Sequence, residues 1–68
     1  MEWKIHQDGC WLAFGHDGQR YEVGEAGGGD YELNICGLVR ITCDSNEYGK
    51  KLADSWDWAS QLDILGVM

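Results

Sequence analysis

The stretch DGCWLAFGHDGQRYEV, Asp8 to Val23, carries two Asp-Gly pairs nine residues apart, Asp8-Gly9 and Asp17-Gly18. Asp-Gly suits a two-residue type I′ loop, because both central residues take φ > 0 there and glycine does so without steric penalty. Two such loops predict a three-stranded meander, and its register follows by counting outward from each. Gln7 then faces Cys10, Ile5 faces Leu12 and Trp3 faces Phe14. Across the second loop His16 faces Gln19, Phe14 faces Tyr21 and Leu12 faces Val23. Side chains alternate along a strand, so the expected core face carries the rows Trp3–Phe14–Tyr21 and Ile5–Leu12–Val23.

Downstream, Gly24-Glu25-Ala26-Gly27-Gly28-Gly29-Asp30 reads as a flexible connection, since a triple glycine holds regular structure poorly. It is no phosphate loop: a strand rather than a helix follows it, and Glu25 and Asp30 would repel an anion. From Tyr31 to Cys43 the odd positions stay apolar apart from Gly37, while the even ones carry Glu32, Asn34, Arg40 and Thr42. A two-residue hairpin at Cys36-Gly37 would set Leu33 against Arg40, so one long strand bent at Gly37 is expected. Asp44 and Glu47 form a capping-box-like pair, which starts a helix near Ser45. The helix should run from about Asn46 to Asp63, with Tyr48, Leu52, Trp56, Ala59 and Leu62 on its apolar stripe and Trp58 and Leu65 at the flank. Lys50, Asp54, Asp57 and Gln61 fall on the opposite face, and Gly49 weakens the first turn by up to about 1 kcal/mol. The predicted fold is α+β, a single domain over residues 1–68: a four-stranded antiparallel meander with one C-terminal α-helix packed on one face. Whether the fourth strand pairs with the third or the first stays open. Trp3, Phe14, Leu33 and Trp56 should dominate stability, each buried side chain being worth about 1.5–3 kcal/mol.

Sixty-eight residues with 44% apolar content and four Trp are enough for one two-layer core. No apolar run reaches the roughly eighteen residues of a membrane span, and the segment MEWKIHQDGC lacks the apolar centre of a signal peptide. A cytoplasmic protein is therefore expected. Twelve acids against five bases leave a net charge of −7, which repels nucleic acid and anionic membrane and favours a basic partner. Three cysteines make no complete disulfide set, and their C-x25-C-x6-C spacing matches no zinc signature. Cys10 and Cys43 read as small core residues and Cys36 as outward-facing. No metal and no cofactor are expected.

The expected outer face leaves Trp11 exposed among Ala13, Gly15 and Gly24, an arrangement suited to a partner-binding anchor. The acids form two sets: Glu22, Glu25, Asp30 and Glu32 around the glycine segment, and Asp44, Glu47, Asp54 and Asp57 along the helix and its entry. Acids one helical turn apart repeat at about 5–6 Å, near the spacing of successive phosphates along a nucleic-acid strand. His6 and His16 read as surface residues with no nucleophile beside them, so no catalytic residue is expected and the protein reads as a non-enzyme. A short, acidic, single-domain chain of this type, with the hairpin segment Asp8 to Val23, resembles the anti-CRISPR inhibitors of phages and mobile elements. That resemblance rests on architecture and charge and carries no diagnostic motif. It implies a stoichiometric inhibitor that blocks target DNA recognition by a CRISPR–Cas effector, in part as a DNA mimic. The partner would be the basic surface of a nucleic-acid-binding complex, met by Glu22, Glu25, Asp30, Glu32, Trp11, Asp54 and Asp57, with no direct contact to nucleic acid or membrane and the chain a monomer or weak homodimer. The alternative is a non-catalytic accessory subunit that binds its protein partner through the Trp11 face.

Overall fold

The computed structural model describes residues 1–7 and 9–66, with 62–66 described by backbone alone. Five strands precede one helix: β1 (Lys4–Gln7), β2 (Cys10–Phe14), β3 (Arg20–Gly27), β4 (Asp30–Ile35), β5 (Val39–Cys43) and α1 (Asn46–Gly66). Each strand pairs antiparallel with the next, in the order β1-β2-β3-β4-β5. The α+β class, the antiparallel meander and the C-terminal helix agree with the sequence reading, but the sheet has five strands rather than four, and β4 lies beside β3.

The extra strand comes from the Tyr31–Cys43 segment, which folds into a hairpin instead of one long strand bent at Gly37. Ile35 pairs with Val39 and Leu33 with Ile41, so the loop Cys36-Gly37-Leu38 holds three residues. An odd loop keeps odd positions facing odd positions, which is why the apolar alternation survives the reversal. Leu38 N–H donates to Ile35 O at 3.0 Å, Gly37 N–H donates to Asn34 Oδ1 at 2.8 Å, and Cys36 sits at φ 55°, a conformation seldom adopted by a residue with a side chain.

The glycine segment also differs from expectation. β3 continues through it to Gly27, which pairs with Asp30. Gly28 and Gly29 are the two loop residues, at φ 63° and 82°, as a type I′ turn demands. The residues expected to be a flexible connection therefore form a tight two-residue turn.

The decisive change lies in the opening stretch. Gly15 N–H donates to Gln19 O at 2.7 Å and Gly18 N–H to Gly15 O at 3.2 Å, with Gly18 at φ 73°. This is a three-residue loop closed by a left-handed glycine, the next most common hairpin after the two-residue form. Phe14 then pairs with Arg20, Ala13 with Tyr21, Leu12 with Glu22 and Trp11 with Val23. Gln7 faces Cys10 as expected, although Asp8 itself lies outside the described residues. A bulge at His6 then sets Ile5 against Trp11 and Lys4 against Leu12. Every residue of β2 is thereby turned to the face opposite the expected one. Leu12 and Val23 point to opposite sides, Phe14 is 58% exposed and Ile5 70% exposed, and Cys10 lies opposite Gly24 on the uncovered side.

The core is built by Tyr21, Val23, Leu33, Ile35, Cys43 and Ala53, with Trp3, Tyr31, Val39, Ile41 and Leu52 packed around it. Of the four side chains expected to dominate stability, Leu33 is fully buried, Trp3 packs at the core's margin, and Phe14 and Trp56 are substantially exposed. The helix begins at Asn46 as expected, but its N-cap is Ser45 rather than Asp44, the Ser45 Oγ accepting from Tyr48 N–H at 3.1 Å, the ordinary capping geometry. It lies on the sheet through Gly49 and Ala53, however, rather than through Tyr48 and Trp56, which are 49% and 38% exposed. A Cβ on Gly49 would stand 2.8 Å from Val23 Cγ1, so small residues let the helix axis approach β3 and β4 while its bulky residues flank the contact. Ala59 is exposed, and the side chains of Leu62 and Leu65, placed on the stripe and its flank, lie outside the described residues. Among the described residues no helix is both long and apolar enough to cross a membrane.

Candidate partner-binding surfaces

Three surfaces collect the residues singled out by the sequence. The first is the end of the sheet at the Gly28-Gly29 turn. Glu25 pairs with Tyr31 and Tyr31 with Cys43, so Glu25, Asp30 and Asp44 lie together at that end. Glu47 follows in the first turn of α1. All four are exposed. Lys and Arg occur only at positions 4, 20, 40, 50 and 51, so no base lies between Gly24 and Val39, and Lys50 and Lys51 begin one turn further along the helix. Glu25 and Asp30 from one acidic set and Asp44 and Glu47 from the other thus come to the same end of the sheet, and the hairpin register is what joins them.

The second surface is the uncovered face of the sheet. Glu22 and Glu32 lie here, half-buried, opposite Asn34 and Gly24 respectively. A shallow pocket of about 120 Å3 lies on this face, lined by Cys10, Glu22, Val23, Gly24, Glu25, Glu32 and Asn34, while the missing Cβ of Gly24 lets Cys10 Sγ and the Gly9 carbonyl pack against its backbone. Glu22 is engaged by Arg20, whose Nε stands 3.2 Å from Glu22 Oε1. Lys4, Arg20 and Arg40 share this face with the acids, so its charge is mixed. Among the described residues no group of three or more His, Cys, Asp or Glu side chains converges as a metal site.

The third lies where α1 crosses the β2–β3 loop, and it relocates Trp11 and Asp57. Trp11 stands on the helix side, half-buried, with Lys50 Nζ 3.9 Å from its ring centroid and 6.0 Å from that of Trp3. The expectation of an outer-face Trp11 ringed by small residues is corrected by the β2 reversal. Lys50, expected on the solvent side of the helix, covers both indoles as a cation over π-faces. Asp54 keeps its exposed place, 57% accessible and 3.9 Å from the Met1 amino group.

Asp57 is turned inward. Its Oδ1 and Oδ2 accept from His16 N–H at 3.2 and 3.3 Å, and Oδ1 stands 2.8 Å from His16 Nδ1. The Tyr21 hydroxyl reaches both Gln19 Oε1 at 2.8 Å and Asp57 Oδ1 at 3.1 Å. Burial pushes the Asp57 carboxyl up, but hydrogen bonds from the His16 side chain and backbone and from Tyr21 outweigh it and hold the group below the ordinary aspartate value. Burial, and then Asp57, push the Tyr21 phenol up. Gly15 is required beneath this cluster, since a Cβ there would overlap the Asp57 carboxylate. A carboxylate fixing the Nδ1 tautomer of a histidine also occurs in catalytic sites. Here its hydrogen bonds run to the loop backbone, Tyr21 and His16, so the cluster acts as a latch between α1 and the loop. His16, read as a free surface residue, is a member of it. His6 is exposed at the β1 bulge.

No family model, curated protein or solved structure matches the chain.

Proposed function

We propose that the protein is a non-catalytic acidic inhibitor that docks its acidic end on the basic surface of a nucleic-acid-binding effector and blocks target DNA recognition. The observation that carries this reading is the meeting of Glu25, Asp30, Asp44 and Glu47 at one end of the sheet. Arginine and lysine side chains that hold phosphates take carboxylates in the same geometry. With a net charge of −7, the chain is also attracted to such a surface over a Debye length. The resemblance to anti-CRISPR inhibitors makes a CRISPR–Cas effector the first target to test. Glu32 lies one row inward of this end and Glu22 two, whereas Asp57 is occupied by the latch. The reading that gives Trp11 the anchoring role is weakened by its half-burial beneath Lys50.

The test adds the protein to purified CRISPR–Cas effectors and measures target DNA binding. Loss of DNA binding with wild type, steeply relieved by salt and absent with Glu25→Gln/Asp30→Asn/Asp44→Asn/Glu47→Gln, supports the reading. Undisturbed DNA binding across the effectors, or equal inhibition by the neutralised variant, contradicts it.

A further inference from the structure

We propose that two copies of this chain pair face to face through the uncovered side of β1–β3. The three strands present two adjacent rows there. One row holds Lys4, Leu12 and Glu22, set opposite one another by the register. The other holds Phe14 opposite Arg20, with Glu2 beside them, 3.9 Å from Lys4 Nζ. Position by position the rows are complementary: base against acid, leucine against phenylalanine, acid against base. A two-fold axis running across the strands between the rows superposes one row on the other. It sets Lys4 against Glu2 of the second copy, Leu12 against Phe14, and Glu22 against Arg20, and each contact occurs twice, as an isologous interface requires.

Shape agrees with charge. A groove of about 210 Å3 lined by Glu2, Lys4, Leu12, Ala13 and Phe14 lies at the centre of the patch, beside a phenylalanine that is 58% exposed. The Phe14 ring of one copy enters the groove next to Leu12 of the other, at the roughly 10 Å spacing of stacked sheets. Two acids and two bases make the patch neutral on a chain of net charge −7, so copies repel least when this side leads. The patch is small, six side chains per copy against the roughly 20–30 residues per side of a standard interface, so the dimer expected is a weak one. The acidic end stays outside the pairing, so each dimer offers two such ends, and the pairing stands or falls independently of the target of the acidic end.

Sedimentation equilibrium over a concentration series tests the pairing. Wild type is expected to dimerise, Phe14→Glu to be monomeric, and Arg20→Glu to weaken the dimer at least about tenfold. The swap Arg20→Glu/Glu22→Arg restores the complementarity and should restore the dimer, with circular dichroism confirming that every variant is folded. Wild type that stays monomeric up to about 1 mM overturns the proposal. A dimer that survives Phe14→Glu, or a swap that fails to rescue Arg20→Glu, overturns it as well.

Discussion

The two faces of the sheet are built from the same strands and differ in how their apolar residues are held. On the covered face Tyr21, Val23, Leu33 and Ile35 are each at most 2% exposed, and Gly49 and Ala53 bring the helix backbone down on them. On the open face Leu12 and Phe14 stand between Lys4, Arg20 and Glu22, and among the described residues no second layer lies above them. A one-residue change in loop length decides which set β2 contributes to which face. It places Ala13 and Trp11 on the helix side of the sheet and frees Leu12 and Phe14, so burial here follows register rather than hydrophobicity alone.

That contrast can be broken by mutation, most severely at the covered face. Leu33→Ala removes a fully buried side chain and should cost about 2–5 kcal/mol in urea denaturation. Asp57→Asn leaves the latch donors of His16 and Tyr21 poorly matched and should cost about 1–3 kcal/mol at neutral pH. Because Asp57 is held below the ordinary value of 3.8, its contribution is present above that value and is lost as pH falls through its lower folded-state value. The gap between wild type and Asp57→Asn should therefore close in acid; a gap that persists there means the carboxylate charge is not what holds the loop.

Gly49→Ala sharpens the comparison further. The substitution gains up to about 1 kcal/mol of helix propensity, but its Cβ meets Val23 in a packed interior, where overpacking costs about 1–3 kcal/mol. A net loss of about 1 kcal/mol is expected, and a net gain would mean the helix sits further from β3. The smallest effect is expected on the open face. Phe14→Ser should change the stability of the monomer by less than about 0.5 kcal/mol in dilute solution.

Local chemistry in the sequence located the helix start, the apolar parity of 31–43 and the antiparallel meander, because each depends on neighbours in the chain. The helix start near Ser45 and the alternation from Tyr31 to Cys43 are of this kind, although the cap itself is Ser45 and not the Asp44 of the expected pair. Loop length was not legible in the same way. Asp17-Gly18 fits both a two-residue loop and a three-residue loop closed by a left-handed glycine, and the two choices place opposite faces of β2 on the core. A two-residue loop at Cys36-Gly37 would set Leu33 against Arg40, whereas the three-residue loop Cys36-Gly37-Leu38 sets it against Ile41, and no local pattern distinguishes the two. The latch joins His16 to Asp57 across 41 residues, a separation at which no local pattern speaks. The helix contact had one readable signal: a glycine in a first helical turn is costly unless a neighbour needs the space, and Val23 does. The acidic end was visible as two sets of acids, and only the β3–β4 and β4–β5 pairings bring them together.

The make-up of the two sheet faces, and the pairing proposed for the open one, depend on the register of β2, and solution NMR reads that register directly. Cross-strand nuclear Overhauser contacts between Ala13 and Tyr21 and between Leu12 and Glu22, together with contacts from the Trp11 indole to the Lys50 side chain, are the result expected here. Contacts pairing Phe14 with Tyr21 and Leu12 with Val23, with the Trp11 ring free of the helix, would contradict it.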